Sequence, residues 1–407
     1  MTNNKDKKVL NVPNLRFPEF TGEWMKCKFG EIATGFDYGM NAAAKPYDGQ
    51  NKYIRITDID EASSTYNNSS IVSPDGILSE NYVVNEGDIL LARTGASTGK
   101  SYLYRKSDGK LYYAGFLIRA NVAEHNPYFV FSQLHTHRYW RWVSIMSARS
   151  GQPGINSLEY ASFPIFTTTL KEENKISSLL SLIDERITTQ NKIIEKYESL
   201  IQAICDTLIE SGQPKIELSF NDFGEPYSGL SGKSAEDFGK GWPYITYMNV
   251  YQNQIIDITD VGLVKINETE QQSVVRYGDI LFTLSSETPD EVGMGAVYLG
   301  DIYPLYLNSF CFGVHITDES KIYPPFLAYY ISTKSFRKAV FPLAQGSTRF
   351  NLQKSDFMKK KFLFPTVEKQ NKIYSVLKAY SDKLSIEKNI ANLLCEQKSY
   401  LLRQLFI

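Results

Sequence analysis

Two stretches of the chain place apolar residues at alternating steps of three and four, which is the spacing of a coiled-coil seam. The first stretch has no proline or glycine from residue 170 until Gly212, so we predict one long helix over 168–212 and a second over 366–407. Gln190 and Glu387 interrupt the two seams at the same place, and a polar seam residue costs stability but can fix register. An ordinary packed bundle would show a similar spacing. The predicted seam positions are Ile176, Leu180, Ile183, Ile187, Ile194, Ile201, Leu208, Ile373, Leu377, Leu384, Leu394 and Leu401.

The rest of the chain follows a different pattern, in which short apolar and aromatic runs are broken by glycine, asparagine, aspartate and proline. Such runs are typical of strands. Helices are predicted within 125–146 and 324–341. The pattern therefore indicates domains that mix strands with helices. The strands predicted in the first half lie within 53–59, 83–91, 101–104 and 111–118.

An internal duplication links the two halves of the chain. The tetrapeptide GDIL at 87–90 recurs at 278–281, an offset of 191 residues (278 − 87), and the pair Tyr-Ile at 53–54 recurs at 244–245 with the same offset. Further along, Asn174-Lys175-Ile176 recurs at 371–373, where the offset has grown to 197 (371 − 174). An offset that drifts by a few residues indicates loop changes inside one repeated unit.

The duplication predicts an α+β protein with two mixed α/β domains, separated by two long antiparallel coiled-coil helices in a rough two-fold relation. One long helix ends each repeat, so the two helices can bury their seams against each other. The predicted segments are an N-terminal segment (1–23), a first domain (24–167), a first helical spacer (168–212), a second domain (213–365) and a second helical spacer (366–407).

Composition limits the possible functions only weakly. The 407 residues carry a formal net charge of −1, so any DNA binding has to rest on local basic patches or on a basic partner. The lysines near the N-terminus precede no apolar stretch, and we expect neither a signal peptide nor a membrane helix. Four cysteines lie far apart without a CxxC pair, so a reduced cytoplasmic protein without a metal site is expected.

Four motifs carry a resemblance to a known family. They are VPNLRFPEF at 12–20, YIRITDI at 53–59, GDILLARTG at 87–95 and the helix entry from Pro164 to Glu173-Asn174-Lys175-Ile176. In this order, and with the repetition described above, they resemble the specificity subunits of type I restriction-modification systems along essentially the whole chain.

The resemblance implies a division of labour within the chain. Two target-recognition domains, here 24–167 and 213–365, would each read one half of a split site in double-stranded DNA. The helical spacers would act as a ruler and dock two methyltransferase subunits, and restriction subunits would join through the complex. S-adenosylmethionine, ATP and magnesium are expected on those partners and not on this chain. Loops that differ between the halves, such as 38–50 against 228–241, imply an asymmetric bipartite target.

Three pairs of segments have the residue types that contact DNA. Basic residues with interleaved aromatics occur at 135–151 and 334–338, and polar loops follow at 150–156 and 345–351. A third polar loop, 93–101, corresponds to a loop that begins near residue 283. Basic side chains neutralise phosphates, whereas Arg, Asn and Gln read base edges. A solvated basic helix face and merely structural turns are the alternatives.

The candidate contacts divide between the two predicted domains. Those in the first are Lys45, Arg93, Thr94, Ser97, Thr98, Lys100, Arg138, Arg141, Arg149, Gln152 and Asn156. Those in the second are Lys233, Ser285, Ser286, Lys334, Arg337, Lys338, Gln345, Ser347, Thr348, Arg349 and Asn351.

No catalytic set can be assembled from the sequence. Residues 93–101 resemble a phosphate-binding P-loop, but only three residues separate Gly95 from Gly99 and a predicted strand follows where a P-loop opens a helix. Residues 126–129 and 323–326 resemble the Asn-Pro-Pro-Tyr/Phe motif of amino-methyltransferases without matching it, and each is explained as a helix start. We therefore expect a non-catalytic subunit. The alternatives are a methyltransferase or nuclease fused to a recognition domain, and a stand-alone DNA-binding coiled-coil scaffold.

Overall fold

The computed structural model describes residues 10–61, 63–148, 153–210 and 215–407. The chain divides into two compact units, of which unit 1 comprises 1–190 and 390–407 and unit 2 comprises 191–389. Both long helices are therefore shared, because each passes from one unit to the other. The predicted domain 24–167 falls in unit 1, and the predicted domain 213–365 falls in unit 2.

Unit 1 alternates short strands with short helices before the first long helix. The elements are β1 (Met25–Lys28), α1 (Phe29–Ile32), β2 (Thr34–Tyr38), β3 (Ala43–Pro46), β4 (Lys52–Ile54), β5 (Val72–Asp75), β6 (Asp88–Ala92), β7 (Ser101–Leu103), β8 (Leu111–Tyr113), β9 (Leu117–Asn121), α2 (Pro127–Gln133), α3 (His137–Ser147), α4 (Ser157–Ala161), β10 (Pro164–Thr167) and the start of α5 (Leu170–Glu210).

Unit 2 repeats this order with local changes. The elements are β11 (Lys215–Leu218), β12 (Gly224–Ser228), β13 (Phe238–Ile245), α6 (Tyr247–Gln252), β14 (Val261–Val264), β15 (Ile280–Thr283), β16 (Ser285–Ser286), β17 (Gly295–Val297), β18 (Tyr306–Leu307), β19 (Cys311–Ile316), α7 (Pro324–Tyr330), α8 (Lys334–Val340), β20 (Ala344–Gln345), β21 (Phe350–Leu352), α9 (Lys354–Lys359), β22 (Phe362–Pro365) and α10 (Val367–Leu405).

The same sheet lies at the centre of each unit. It is four-stranded and antiparallel, with the order β2-β9-β6-β7 in unit 1 and β12-β19-β15-β17 in unit 2. A short parallel pair accompanies it in both units, with Tyr53 opposite Tyr112 and Tyr244 opposite Tyr306. The Tyr-Ile pair that recurs in the sequence is thus the same strand in two copies.

The repeated Gly-Asp pair makes a tight turn into the central strand. Gly87 and Gly278 have φ values of +85° and +87°, which favour glycine because a side chain is strained there. The buried carboxylates of Asp88 and Asp279 each accept a hydrogen bond from the backbone N–H three residues earlier, at 2.7 and 2.8 Å. These bonds satisfy the turn, and they explain why the motif occurs in both halves.

Several elements are shorter than the sequence pattern predicts. The strand predicted over 53–59 ends at Ile54 because the carboxylate of Asp58 accepts the backbone N–H of Arg55 at 2.9 Å and closes a 3-10 turn. The helix predicted over 125–146 is two helices, because Thr136 caps α3 with its side chain. Thr333 caps α8 in the same way, so the break is common to both units.

The two long helices run antiparallel within each unit. In unit 1, Ile176 near the start of α5 shares a buried core with Leu405 at the end of α10. In unit 2, Ile209 near the end of α5 shares a core with Ile373 near the start of α10. Every predicted seam residue is buried or half-buried. Among the described residues, no helix has an apolar stretch of the length needed to cross a membrane.

A side chain at the same repeat position fixes the start of each long helix. Glu173, on α5, accepts the backbone N–H of Asn126 at 3.0 Å, and Gln370, on α10, accepts that of Tyr323 at 2.8 Å. A side chain from the long helix thus binds the start of α2 or α7 in each unit. The helix is thereby fixed to the mixed domain of its own unit.

Candidate nucleic-acid interface

Two of the predicted DNA-contacting segments lie together in unit 1. The post-strand loop (residues 93–100) follows β6, and the post-helix loop (residues 153–156) precedes α4. The N–H of Gly95 donates to the carbonyl of Pro153 at 3.1 Å, and the N–H of Ile155 donates to the carbonyl of Arg93 at 2.9 Å. These bonds hold the two loops side by side as one surface.

Unit 2 has the same pairing. Its post-strand loop (residues 284–294) includes β16, and its post-helix loop (residues 344–352) includes β20 and β21. Ser285 lies opposite Asn351 in an antiparallel pair, and the N–H of Leu352 donates to the carbonyl of Leu284 at 2.8 Å. The last bond is the repeat equivalent of the bond between Ile155 and Arg93. The same loop framework is therefore built twice with different side chains.

Buried tyrosines anchor the post-strand loop of unit 1. The hydroxyl of Tyr160 donates to the carbonyl of Ala92 at 2.6 Å, and that of Tyr139 donates to the carbonyl of Gly99 at 2.8 Å. Gly99 has φ +94°, and a Cβ there would lie 2.7 Å from a methyl group of Val143. Burial raises the pKa of Tyr160, so this hydroxyl stays protonated and able to donate.

This anchor was not predicted from the sequence. The equivalent residues in unit 2 are Phe336 and Phe357, which pack in the core without hydroxyl groups. The sequence feature that could have predicted the anchor is a tyrosine in the first repeat where the second has phenylalanine, at two buried positions.

The predicted contacts differ widely in exposure. The exposed ones are Lys45, Arg141, Asn156, Lys334, Lys338, Gln345, Ser347, Thr348, Arg349 and Asn351. The half-buried ones are Arg93, Thr94, Ser97, Lys100, Arg138, Lys233 and Arg337, and the buried ones are Thr98, Ser285 and Ser286. Arg149 and Gln152 lie outside the described residues.

Two arginines of the basic helices are engaged inside their own unit. The guanidinium of Arg138 lies 4.6 Å from the ring centroid of Phe166, and burial lowers its pKa to about 10. Arg337 donates to the carbonyls of Asp290, Val292 and Gly293 at 2.7, 2.7 and 2.8 Å. Both side chains fix local structure.

Several polar candidates also have structural partners. Asn156 caps α4 by accepting the N–H of Glu159 at 2.9 Å, and Thr98 donates to the carbonyl of Gly95 at 2.8 Å. Lys100 pairs with Glu61 at 3.0 Å. Lys233 pairs with Glu270 and has only 4% of its side chain exposed. The exposed basic surface is left to residues such as Arg141, Lys334, Lys338 and Arg349.

The segments that resembled enzyme motifs form ordinary local structure. The post-strand loop of unit 1 leads into β7 and not into a helix. Asn126 caps α2 by accepting the N–H of Phe129 at 3.0 Å, and Pro324 stands in the first turn of α7. Within the described part of the chain, no group of three or more His, Cys, Asp and Glu side chains could hold a metal ion.

Comparison with known proteins relates this framework to a family. Residues 228–396 match the family model described as "Type I restriction modification DNA specificity domain". The resemblance to type I specificity subunits is thereby confirmed. The chain is also 22% identical over 337 residues to the Type I restriction enzyme MjaVIII specificity subunit of Methanocaldococcus jannaschii. The aligned region covers 77% of this chain and 76% of that protein.

Solved structures agree on the fold. The crystal structure of the type I restriction-modification S subunit from M. genitalium matches with a TM-score of 0.58 at 17% identity, covering 97% of this chain and 99% of that one. A chain from a study of complex assembly and conformational transition of the type I R-M system matches with a TM-score of 0.56 at 16% identity, covering 94% and 97%. The predicted α+β class, with two mixed domains and two long helices, is confirmed.

The matched segment 228–396 contains both loops of unit 2 and most of α10. DNA sequence recognition is the function that the name of this domain describes. The repeat equivalence established above connects the loops of unit 1 with those of the matched segment.

Proposed function

We propose that this chain is the non-catalytic DNA-sequence-reading subunit of a type I restriction-modification complex. Unit 1 and unit 2 each read one half of a bipartite, asymmetric site, and the long helices set the distance between the halves. The observation that carries the proposal is the loop pair that is built twice, with an equivalent backbone hydrogen bond in each unit but with different exposed side chains. Equal frameworks with unequal side chains are what two different half-sites require.

Partner subunits supply the chemistry in this proposal. Methyltransferase subunits bring S-adenosylmethionine and methylate N6 of adenine, and a restriction subunit brings ATP and magnesium. The long helices offer docking surfaces, because they leave several large apolar side chains more than half exposed. Leu182, Leu393 and Tyr400 are 58%, 63% and 54% exposed in unit 1, and Ile386 is 52% exposed in unit 2.

The net charge of the chain supports DNA binding that is shared with partner subunits. Nonspecific affinity grows with the number of phosphates that a protein neutralises, and this chain has a net charge of −1. A few exposed basic residues per unit therefore direct the chain to its site, while the partners complete the clamp.

The test is a methylation map. The chain is expressed with its cognate methyltransferase subunit, and N6-methyladenine is mapped across the DNA of those cells. We expect one asymmetric motif made of two short defined blocks around a fixed undefined gap. No new methylation, with both proteins present and folded, would favour the stand-alone DNA-binding scaffold. Co-purification separates that alternative independently, because a scaffold of this kind recruits no methyltransferase.

A further inference from the structure

Each unit exposes a phenylalanine at an equivalent tight turn. Phe116 is 58% exposed and Phe310 is 56% exposed. In unit 1 the N–H of Leu117 donates to the carbonyl of Ala114 at 2.8 Å and closes the turn. In unit 2 the N–H of Cys311 donates to the carbonyl of Asn308 at 3.0 Å. A large apolar ring left in solvent at the same place in both repeats has no role in either core.

The backbone joins each of these rings to the paired loops of its own unit. The carbonyl of Phe116 accepts the N–H of Arg93 at 3.1 Å, at the start of the post-strand loop. The carbonyl of Phe310 accepts the N–H of Leu284 at 2.9 Å, which is the equivalent position in unit 2. The aromatic turn is therefore part of the same surface as the two loops. These backbone hydrogen bonds fix its position relative to the post-strand loop.

Each ring also lines the wall of an open cavity that contains an arginine. The cavity in unit 1 is about 630 Å³ and is lined by Tyr38, Asn41, Arg93 and Phe116 among others. The cavity in unit 2 is about 300 Å³ and is lined by Tyr247, Ser286, Phe310 and Arg349 among others. Apolar rings beside arginine and hydroxyl or amide groups are the mixture that reads base edges.

The arginine of each cavity comes from a different loop, and it lies over the phenylalanine ring only in unit 2. Arg93 belongs to the post-strand loop, and its guanidinium lies 4.7 Å from the ring centroid of Tyr38. Arg349 belongs to the post-helix loop, and its guanidinium lies 5.9 Å from the ring centroid of Phe310. Both units therefore expose a phenylalanine at the equivalent turn, whereas the arginine near it has a different origin and a different aromatic neighbour.

From this geometry we infer that Phe116 and Phe310 are base-contacting residues, one in each half-site, and that each ring packs on the methyl group of a thymine. The inference rests on the proposed function, since it names a contact within each half-site. Where the methylated adenine lies in a block, that block contains an A·T pair, and methylation of both blocks would give each half-site a thymine to contact. The C5-methyl group is the apolar feature that distinguishes thymine in the major groove.

The test compares removal of the ring with removal of the methyl group. The full chain in complex with its methyltransferase subunit is bound to duplexes carrying its mapped motif, with each thymine of both blocks replaced in turn by deoxyuridine. We expect one replacement in each block to weaken binding of the unsubstituted protein by about tenfold. In Phe116→Ala that penalty disappears for one block only, and in Phe310→Ala it disappears for the other.

Matched controls come from the repeat itself. Met25 and Ile216 are exposed apolar residues at equivalent positions, on β1 and β11, and neither borders a paired loop. Met25→Ala and Ile216→Ala are expected to keep the deoxyuridine penalties of both blocks. The block read by the unaltered unit is an internal control for folding, and the measurement on the unsubstituted protein needs no variant.

The outcomes separate the inference from the proposed function. If the complex methylates no two-block motif, the proposed function fails. If the motif exists but no deoxyuridine replacement weakens binding, or if the penalties persist in Phe116→Ala and Phe310→Ala, the base contact is overturned and the proposed function stands.

Discussion

Arg337 and Lys338 are neighbours on α8 with different surroundings. The guanidinium of Arg337 satisfies three backbone carbonyls of the 290–293 turn, whereas the side chain of Lys338 is exposed. A guanidinium with five donors in a fixed fork suits such a site, and a lysine would satisfy fewer of these carbonyls. Of these two adjacent cations, Arg337 thus stabilises the fold, and Lys338 is exposed and can contact DNA.

Alanine substitutions separate these two roles. Arg337→Ala should lower the free energy of unfolding by about 2–3 kcal/mol, because it leaves part-buried carbonyls unpaired. Lys338→Ala should change that free energy by less than about 0.5 kcal/mol, while reducing the salt dependence of DNA binding by about one phosphate contact. Calorimetric unfolding and binding titrations at several salt concentrations measure both effects. A stable Arg337→Ala protein with weakened DNA binding would mean that Arg337 leaves its carbonyls to contact phosphate.

At the scale of elements, the long helices are joined by ion pairs of unequal burial. Lys398 and Asp184 are paired at 2.7 Å in unit 1 with 25% and 22% of their side chains exposed. Lys388 and Glu198 are paired at 2.7 Å in unit 2 with 52% and 49% exposed. Asp184 also accepts the hydroxyl of Tyr128, which links the helix to α2. Exposed ion pairs contribute little to stability. Removing one partner of a more buried pair costs more, because the remaining charge is left without a partner.

Asp184→Ala should therefore cost more than Glu198→Ala. We expect a loss of about 1–3 kcal/mol for Asp184→Ala, since both Lys398 and Tyr128 lose their acceptor. The matched change Glu198→Ala should stay within about 0.5 kcal/mol. Calorimetry of the two variants is the measurement, and a double-mutant cycle with Lys398→Ala isolates the ion pair. Equal costs for the two substitutions would show that burial of the first pair contributes nothing.

The elements that the sequence predicted well are those with long periodic patterns. The two long helices follow from their apolar steps, and the equivalence of the central strands follows from the repeated GDIL, whose glycine and aspartate are required by the turn. The short strands and the break between α2 and α3 depend on single side chains, Asp58 and Thr136, that close turns locally. Nothing in hydrophobic periodicity reports such caps.

The candidate site was predictable only in part, for a related reason. Residue type indicated candidate loops, but exposure decides which of their side chains face solvent. Arg138 has the same composition signal as Arg141, yet Arg138 packs on aromatic rings while Arg141 is exposed. The exposed Phe116 and Phe310 carried no signal, because apolar residues are assigned to the core by default.

At the scale of the whole molecule, the proposed function predicts that the length of the long helices can change without altering the paired loops of either unit. Thr188 and Thr189 are exposed on α5, between the seam residues Ile187 and Gln190. Four residues inserted there lengthen the helix by ~6 Å and shift the seam by little more than one turn. At ~3.4 Å per base pair, we expect the gap between the two blocks to change by up to about two base pairs.

Both blocks should stay as they were, because the paired loops are fixed within their own units by hydrogen bonds that the insertion does not touch. The methylation map of the inserted chain, expressed with the methyltransferase subunit, measures the gap and the blocks together. Thr188→Ala/Thr189→Ala is the matched control, since it alters the same exposed positions without adding length. Changed blocks around an unchanged gap would mean that the helices do not act as spacers and that the insertion reaches the loops through the helix entries at Glu173 and Gln370.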